Sequence, residues 1–144
     1  MNFNLFLTRL SLWRRINRPK EHIKMTYQKQ LGDKGETIAA EYLQREKFQL
    51  LNKQYHTRFG EIDIVALDSD MIVFVEVKTR TSDRFGLPEE SITPAKIEHL
   101  ENAGLIWLQE HPDSPEDWRI DVISLLLDHQ DQVLDLHHFK NVHL

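Results

Sequence analysis

Glu76 and Lys78 stand two positions apart in the run VFVEVKTR, residues 73–80, among Val73, Phe74, Val75 and Val77. The neighbours ask for a buried strand, and a buried charge is costly unless it is paired or bound to something. Asp63, in the preceding apolar run EIDIVAL, is a second carboxylate of the same kind. Side chains alternate along a strand, so Glu76 and Lys78 share a face with Ile72 and Phe74, about 7 Å apart. By the same alternation Glu61 and Asp63 share one face, and Ile62, Ile64 and Ala66 share the other. Hard oxygen ligands of this type suit Mg²⁺ or Mn²⁺. A cation held there polarises a phosphate and helps generate hydroxide. A lysine two residues past a ligand can orient the attacking water or steady the developing charge. The chemistry indicated is hydrolysis of a phosphodiester. A plain Glu–Lys salt bridge on a solvated sheet face is the ordinary alternative, and Asp63 in the neighbouring strand weighs against it.

The elements that must position these groups follow from periodicity. LGDKGETIAAEYLQREKFQ places Ile38, Ala39, Tyr42 and Leu43 at helical spacing, with Asp33 as cap and Glu36 at the capping-box position. FQLLNKQYHTR, EIDIVAL and MIVFVEVKTR read as three strands, the last two joined through the short polar turn Asp68–Asp70. That hairpin brings Asp63 towards the end that carries Glu76. TSDRFGLPEESI is a polar loop. Thr93 and Pro94 open a second helix, with the stripe Ile97, Leu100, Gly104, Trp107 and Leu108, and Pro112 past its end. WRIDVISLLL and QVLDLHHF close as a hairpin. The order α-β-β-β-α-β-β defines an α/β domain with a mixed sheet.

The chain has 144 residues, 40% hydrophobic and 28% charged, enough for one domain with a core. It has no cysteine, which excludes disulfides and thiolate metal sites and fits a reducing cytoplasm. No apolar run is long enough to form a transmembrane helix. The net charge of −5 is unevenly spread. Residues 1–24 carry six basic residues against Glu21, a balance of +5, and residues 25–144 carry 12 basic and 22 acidic, a balance of −10. An acidic domain binds nucleic acid poorly without local help, because that affinity comes from neutralising phosphates. Residues 1–24 are expected to be a basic, flexible extension to a domain of residues 25–144. The extension can also lie on a membrane surface as an amphipathic helix, and Met25 offers a second start position.

RFGEIDIVALDSDMIVFVEVKTR, with GDKGETIAAEYL before it and FGLPEESITPAKIEHL and RIDVISL after it, resembles the YraN family of small bacterial proteins. That family is similar to restriction-endonuclease-like nucleases, and among them to Holliday-junction resolvases. The resemblance implies a restriction-endonuclease-like mixed sheet flanked by helices. It also implies a metal-dependent endonuclease acting on branched or structured DNA, with Asp63, Glu76 and Lys78 catalytic. The implied ligands for Mg²⁺ or Mn²⁺ are Asp63, Glu76, Glu36 on the first helix and the backbone carbonyl of Val77. Family members begin the second helix with a basic run, where this chain keeps Lys96. Lys96, Arg58, Thr79 and Arg80 are the candidate nucleic-acid contacts, and sheet-edge salt bridges account equally well for the last three. A homodimer is compatible with this reading. The alternative is a nucleic-acid-binding or scaffold protein that has the fold without turnover.

Arg119 and Asp121 read as a structural pair. His137 and His138 are adjacent, which sends them to opposite faces of a strand and rules out a shared zinc site. Trp13, Trp107 and Trp118 read as core or interface residues.

Overall fold

Polar residues with good helix propensity run ahead of the apolar stripe, and the first helix, α1, spans Lys20–Arg45. The computed structural model describes residues 20–81 and 92–143. The expected extension therefore overlaps α1 from Lys20 to Lys24, and its residues 1–19 lie outside the described residues, as does most of the expected polar loop. The chain divides into two compact units, residues 1–31 and 32–144. The sheet and everything below belong to the second.

The expected cap at Asp33 is corrected. Asp33 lies inside α1, and its carbonyl accepts the Thr37 hydroxyl at 3.0 Å. The capping-box pattern misleads because the turns before it carry no apolar periodicity yet are helical. The helix ends in a left-handed residue, Lys47 with φ 68°. Phe48 N–H donates to Leu43 at 2.9 Å and Lys47 N–H to Gln44 at 3.0 Å, the paired bonds of a Schellman cap.

Strands β1 (Gln49–Thr57), β2 (Gly60–Asp68) and β3 (Met71–Thr81) follow, then α2 (Pro94–Glu110), β4 (Trp118–Leu127) and β5 (Val133–Phe139). The order α-β-β-β-α-β-β is the expected one. The strands form one mixed sheet in the order β1-β2-β3-β4-β5. Only β3 and β4 are parallel, and α2 supplies the crossover that a parallel pair needs. Thr93 caps α2, its side chain accepting Lys96 N–H at 3.2 Å.

Each face of the sheet is covered by one helix. Ala39, Ala40 and Leu43 of α1 pack with Ile64, Ala66, Val73, Val75, Ile123 and Leu125. Ile97, Leu100, Ala103 and Trp107 of α2 pack with Ile62, Val65, Ile72, Phe74 and Ile120. Both helices meet β3 through a glycine. A methyl group at Gly35 would overlap the Thr79 side chain, and one at Gly104 would overlap the Phe74 ring. These close approaches set the height of both helices over the charged end of β3.

One expectation about faces is also corrected. Ile62 packs on the α2 side while Ile64 and Ala66 pack on the α1 side. Strict alternation therefore fails at Asp63. Gln54 lies opposite Asp63 in the β1–β2 register, between the pairs Tyr55↔Ile62 and Lys53↔Ile64. It has φ 48°, a left-handed conformation unusual for a non-glycine residue. The irregularity sits at Asp63, one of the candidate site residues.

Candidate metal centre at a strand fork

The β2–β3 ladder runs from the turn at Asp68↔Met71 up to Ile64↔Val75 and stops there. One residue further, Asp63 and Glu76 stand across the opening fork. Instead of a ladder bond, Val77 N–H donates to Asp63 Oδ2 at 2.7 Å. The N–H and C=O of one strand residue point to the same side, so the Val77 carbonyl also faces the fork, beyond the end of the ladder. Asp63 thus lies between the strands, where the alternation argument had placed it on one sheet face. Glu76 follows Phe74 on the α2 side as expected.

Three carboxylates from two elements meet here. Oxygens of Glu36, Glu61 and Asp63 lie within 4.8 Å of one another. Gln54 Nε2 donates to Glu36 at 3.0 Å, and His56 Nδ1 lies 3.0 Å from Glu61. Glu76 is drawn the other way. Lys78 Nζ sits 2.7 Å from its Oε1, and Lys96 Nζ sits 3.2 Å from its Oε2. That Oε2 is buried, and the Lys96 ammonium is its ion-pair partner without hydrogen-bond alignment.

Asp63 carries the electrostatic cost of the arrangement. It is 7% exposed. Burial first, then the neighbouring Glu76 and also Glu36, push its carboxyl up to about 7, against the pull of Val77 N–H and Lys96. Asp63 is buried, Glu36 and Glu61 are half-buried, and carboxylates held this close repel one another when ionised.

The other candidate residues divide. Arg58 is exposed, its guanidinium 4.9 Å over the Phe59 ring. Arg80 is half-buried on β3. The Thr79 hydroxyl is buried against α1 at Gly35, so it is not presented to a phosphate. Three features were missed from sequence: the closeness of Glu61 to the cluster, the turn of Gln54 towards Glu36, and the reach of Lys96 to Glu76. Glu61 alone had a visible signal, its two-residue spacing from Asp63.

A second buried aspartate shows a contrasting environment. Asp121 is 0% exposed. It accepts from Arg119 Nε at 2.9 Å and from Asn141 N–H at 2.9 Å, and it pairs with His138 Nε2 at 2.9 Å. Burial alone would raise its pKa, but these partners outweigh it and hold the carboxyl below its usual value. Arg119 also reaches Asp68 at 2.7 Å. His137 is exposed and pairs with Asp135 at 2.9 Å, so the adjacent histidines do part company.

The fold and the fork define an α/β protein with a mixed five-stranded sheet between two helices and acidic groups where two strands separate. Residues 35–125 match the family model described as uncharacterised protein family UPF0102. The chain belongs to that family, the one to which the YraN resemblance pointed. A UPF0102 protein of Syntrophomonas wolfei is 45% identical over 100 residues, 69% of this chain and 87% of the relative. One from Geobacter metallireducens is 41% identical over 115 residues, covering 80% of this chain and 93% of the relative. These descriptions state no activity. Among the described residues, no helix is long and apolar enough to cross a membrane.

Proposed function

We propose that the protein is a metal-dependent endonuclease that hydrolyses phosphodiester bonds in branched or otherwise structured DNA. The observation that carries this reading is the acidic fork: oxygens of Glu36, Glu61 and Asp63 lie within 4.8 Å of one another, and Glu76 stands across from Asp63 where β2 and β3 part. Asp63, Glu36 and the Val77 carbonyl, with Glu76 turned in from its lysine contacts, would hold Mg²⁺ or Mn²⁺. When bound, such a cation polarises the phosphate and makes its water acidic. Lys78 pairs with Glu76 and, being about one-third exposed at 32%, can turn its ammonium to the attacking water or the phosphate. Arg58 and Arg80 are the further candidates for phosphate contact. Residues 1–24, with their excess of basic residues, would offset the acidity of the rest.

One specific observation favours a second reading, a nucleic-acid-binding or scaffold protein without turnover. Both lysines nearest the fork are occupied by Glu76, in a chain region that is already acidic. The deciding experiment incubates wild type and Glu76→Gln with linear, flapped and four-way DNA in Mg²⁺ and in Mn²⁺. Wild type is expected to cut at least the branched substrates, and Glu76→Gln to lose cleavage by orders of magnitude. Wild type that binds these DNAs and cuts none of them in either metal would establish the second reading.

A further inference from the structure

Glu76 is gripped from two elements, and the two grips differ. Lys78 comes from the same strand and meets Oε1 at 2.7 Å. Lys96 comes from the first turn of α2 and stands 3.2 Å from Oε2. That contact is the looser of the two and is not aligned as a hydrogen bond. A carboxylate only 4% exposed depends on these two ammonium groups for its charge balance. A divalent cation is a stronger partner for the more loosely held oxygen. The Thr93 cap on Lys96 N–H fixes where the side chain starts, and no acidic residue in the first turn of α2 competes for it. Its side chain is 33% exposed, which leaves it a way out.

We propose that Lys96 is a placeholder for the divalent cation. Its ammonium balances the charge of Glu76 in the metal-free protein, and cation binding displaces it towards solvent, where it becomes a phosphate-binding group. This rests on the metal-site reading above. It adds a coupling: one ammonium cannot hold Glu76 and a DNA phosphate together, so metal loading switches on a DNA contact that the metal-free protein withholds.

The test measures Mn²⁺ binding to the full chain, from the resonance signal of free Mn²⁺, for wild type and Lys96→Met. Beside it, mass spectrometry follows acetylation of Lys96 in wild type with and without Mg²⁺, with exposed Lys53 as internal reference. Lys96→Met is expected to bind Mn²⁺ on the order of tenfold tighter, because a unit charge a few ångströms away in a partly solvated site is removed. Lys96 acetylation is expected to rise several-fold with Mg²⁺ while Lys53 stays constant. The acetylation arm needs no variant to fold. Tighter Mn²⁺ binding with Lys96 acetylation unmoved would make Lys96 a passive neighbour and overturn the placeholder, as would Mn²⁺ affinity unchanged in Lys96→Met. Absence of Mn²⁺ binding by both proteins would overturn the metal site itself and the placeholder with it.

Discussion

Asp63 and Asp121 are both aspartates buried in neighbouring parts of one sheet, yet their surroundings push them in opposite directions. Asp121 is surrounded by an arginine, a histidine and a backbone N–H, and stays ionised well into acid. Asp63 receives one backbone N–H and faces three other carboxylates, Glu36, Glu61 and Glu76, and its carboxyl rises to about 7. The first arrangement closes a network within the protein. The second leaves charge uncompensated at a place where two strands part and a helix brings a further carboxylate. Burial is common to both, so burial alone does not set the direction of the shift; the supply of donors does.

The largest difference is expected in stability. Asp121→Asn leaves the Arg119 guanidinium, 13% exposed, without its buried partner. It is expected to cost about 3–5 kcal/mol, the range for breaking a buried ion pair from one side. Asp63→Asn keeps an oxygen for Val77 N–H and removes a repelling charge, so at pH 8 it is expected to hold or raise stability. Denaturant unfolding of the two variants without metal reads both. Equal losses would erase the distinction between the two aspartates.

A smaller effect sharpens the comparison through pH. The folded-state value of Asp63, about 7, lies above its ordinary value of 3.8. The stability it contributes is complete below that ordinary value and is lost as pH rises through about 7. Asp121 is shifted the other way, and its contribution is lost only as pH falls below the usual carboxylate range. Between pH 5 and 8 the metal-free protein is therefore expected to lose stability, on the order of 1–3 kcal/mol, and Asp63→Asn to lose less. Parallel curves for wild type and Asp63→Asn would remove Asp63 as the source.

Much of this was legible in the sequence. The Glu76–Lys78 pair and the polar turn at Asp68–Asp70 are local, and period-two alternation is enough to place them. The Thr93–Pro94 start of α2 is equally local, and its stripe needed only the addition of Ala103. What escaped is non-local or irregular. The start of α1 lies in polar turns without apolar periodicity. The failure of alternation at Asp63 depends on the left-handed Gln54 in another strand. The reach of Lys96 to Glu76 depends on how closely α2 packs on β3 at Gly104, a distance that no spacing within either element encodes.

The central claim is that Asp63 is held under-compensated for a cation while Asp121 is compensated by the protein. Carboxyl-carbon NMR of the two aspartates across pH, with and without Mg²⁺, tests it most directly. In the metal-free protein Asp63 is expected to titrate near 7, and saturating Mg²⁺ should move that titration down by more than a unit; Asp121 should remain ionised throughout in both. An Asp63 titration at the ordinary carboxylate value, or one that Mg²⁺ leaves in place, would contradict it.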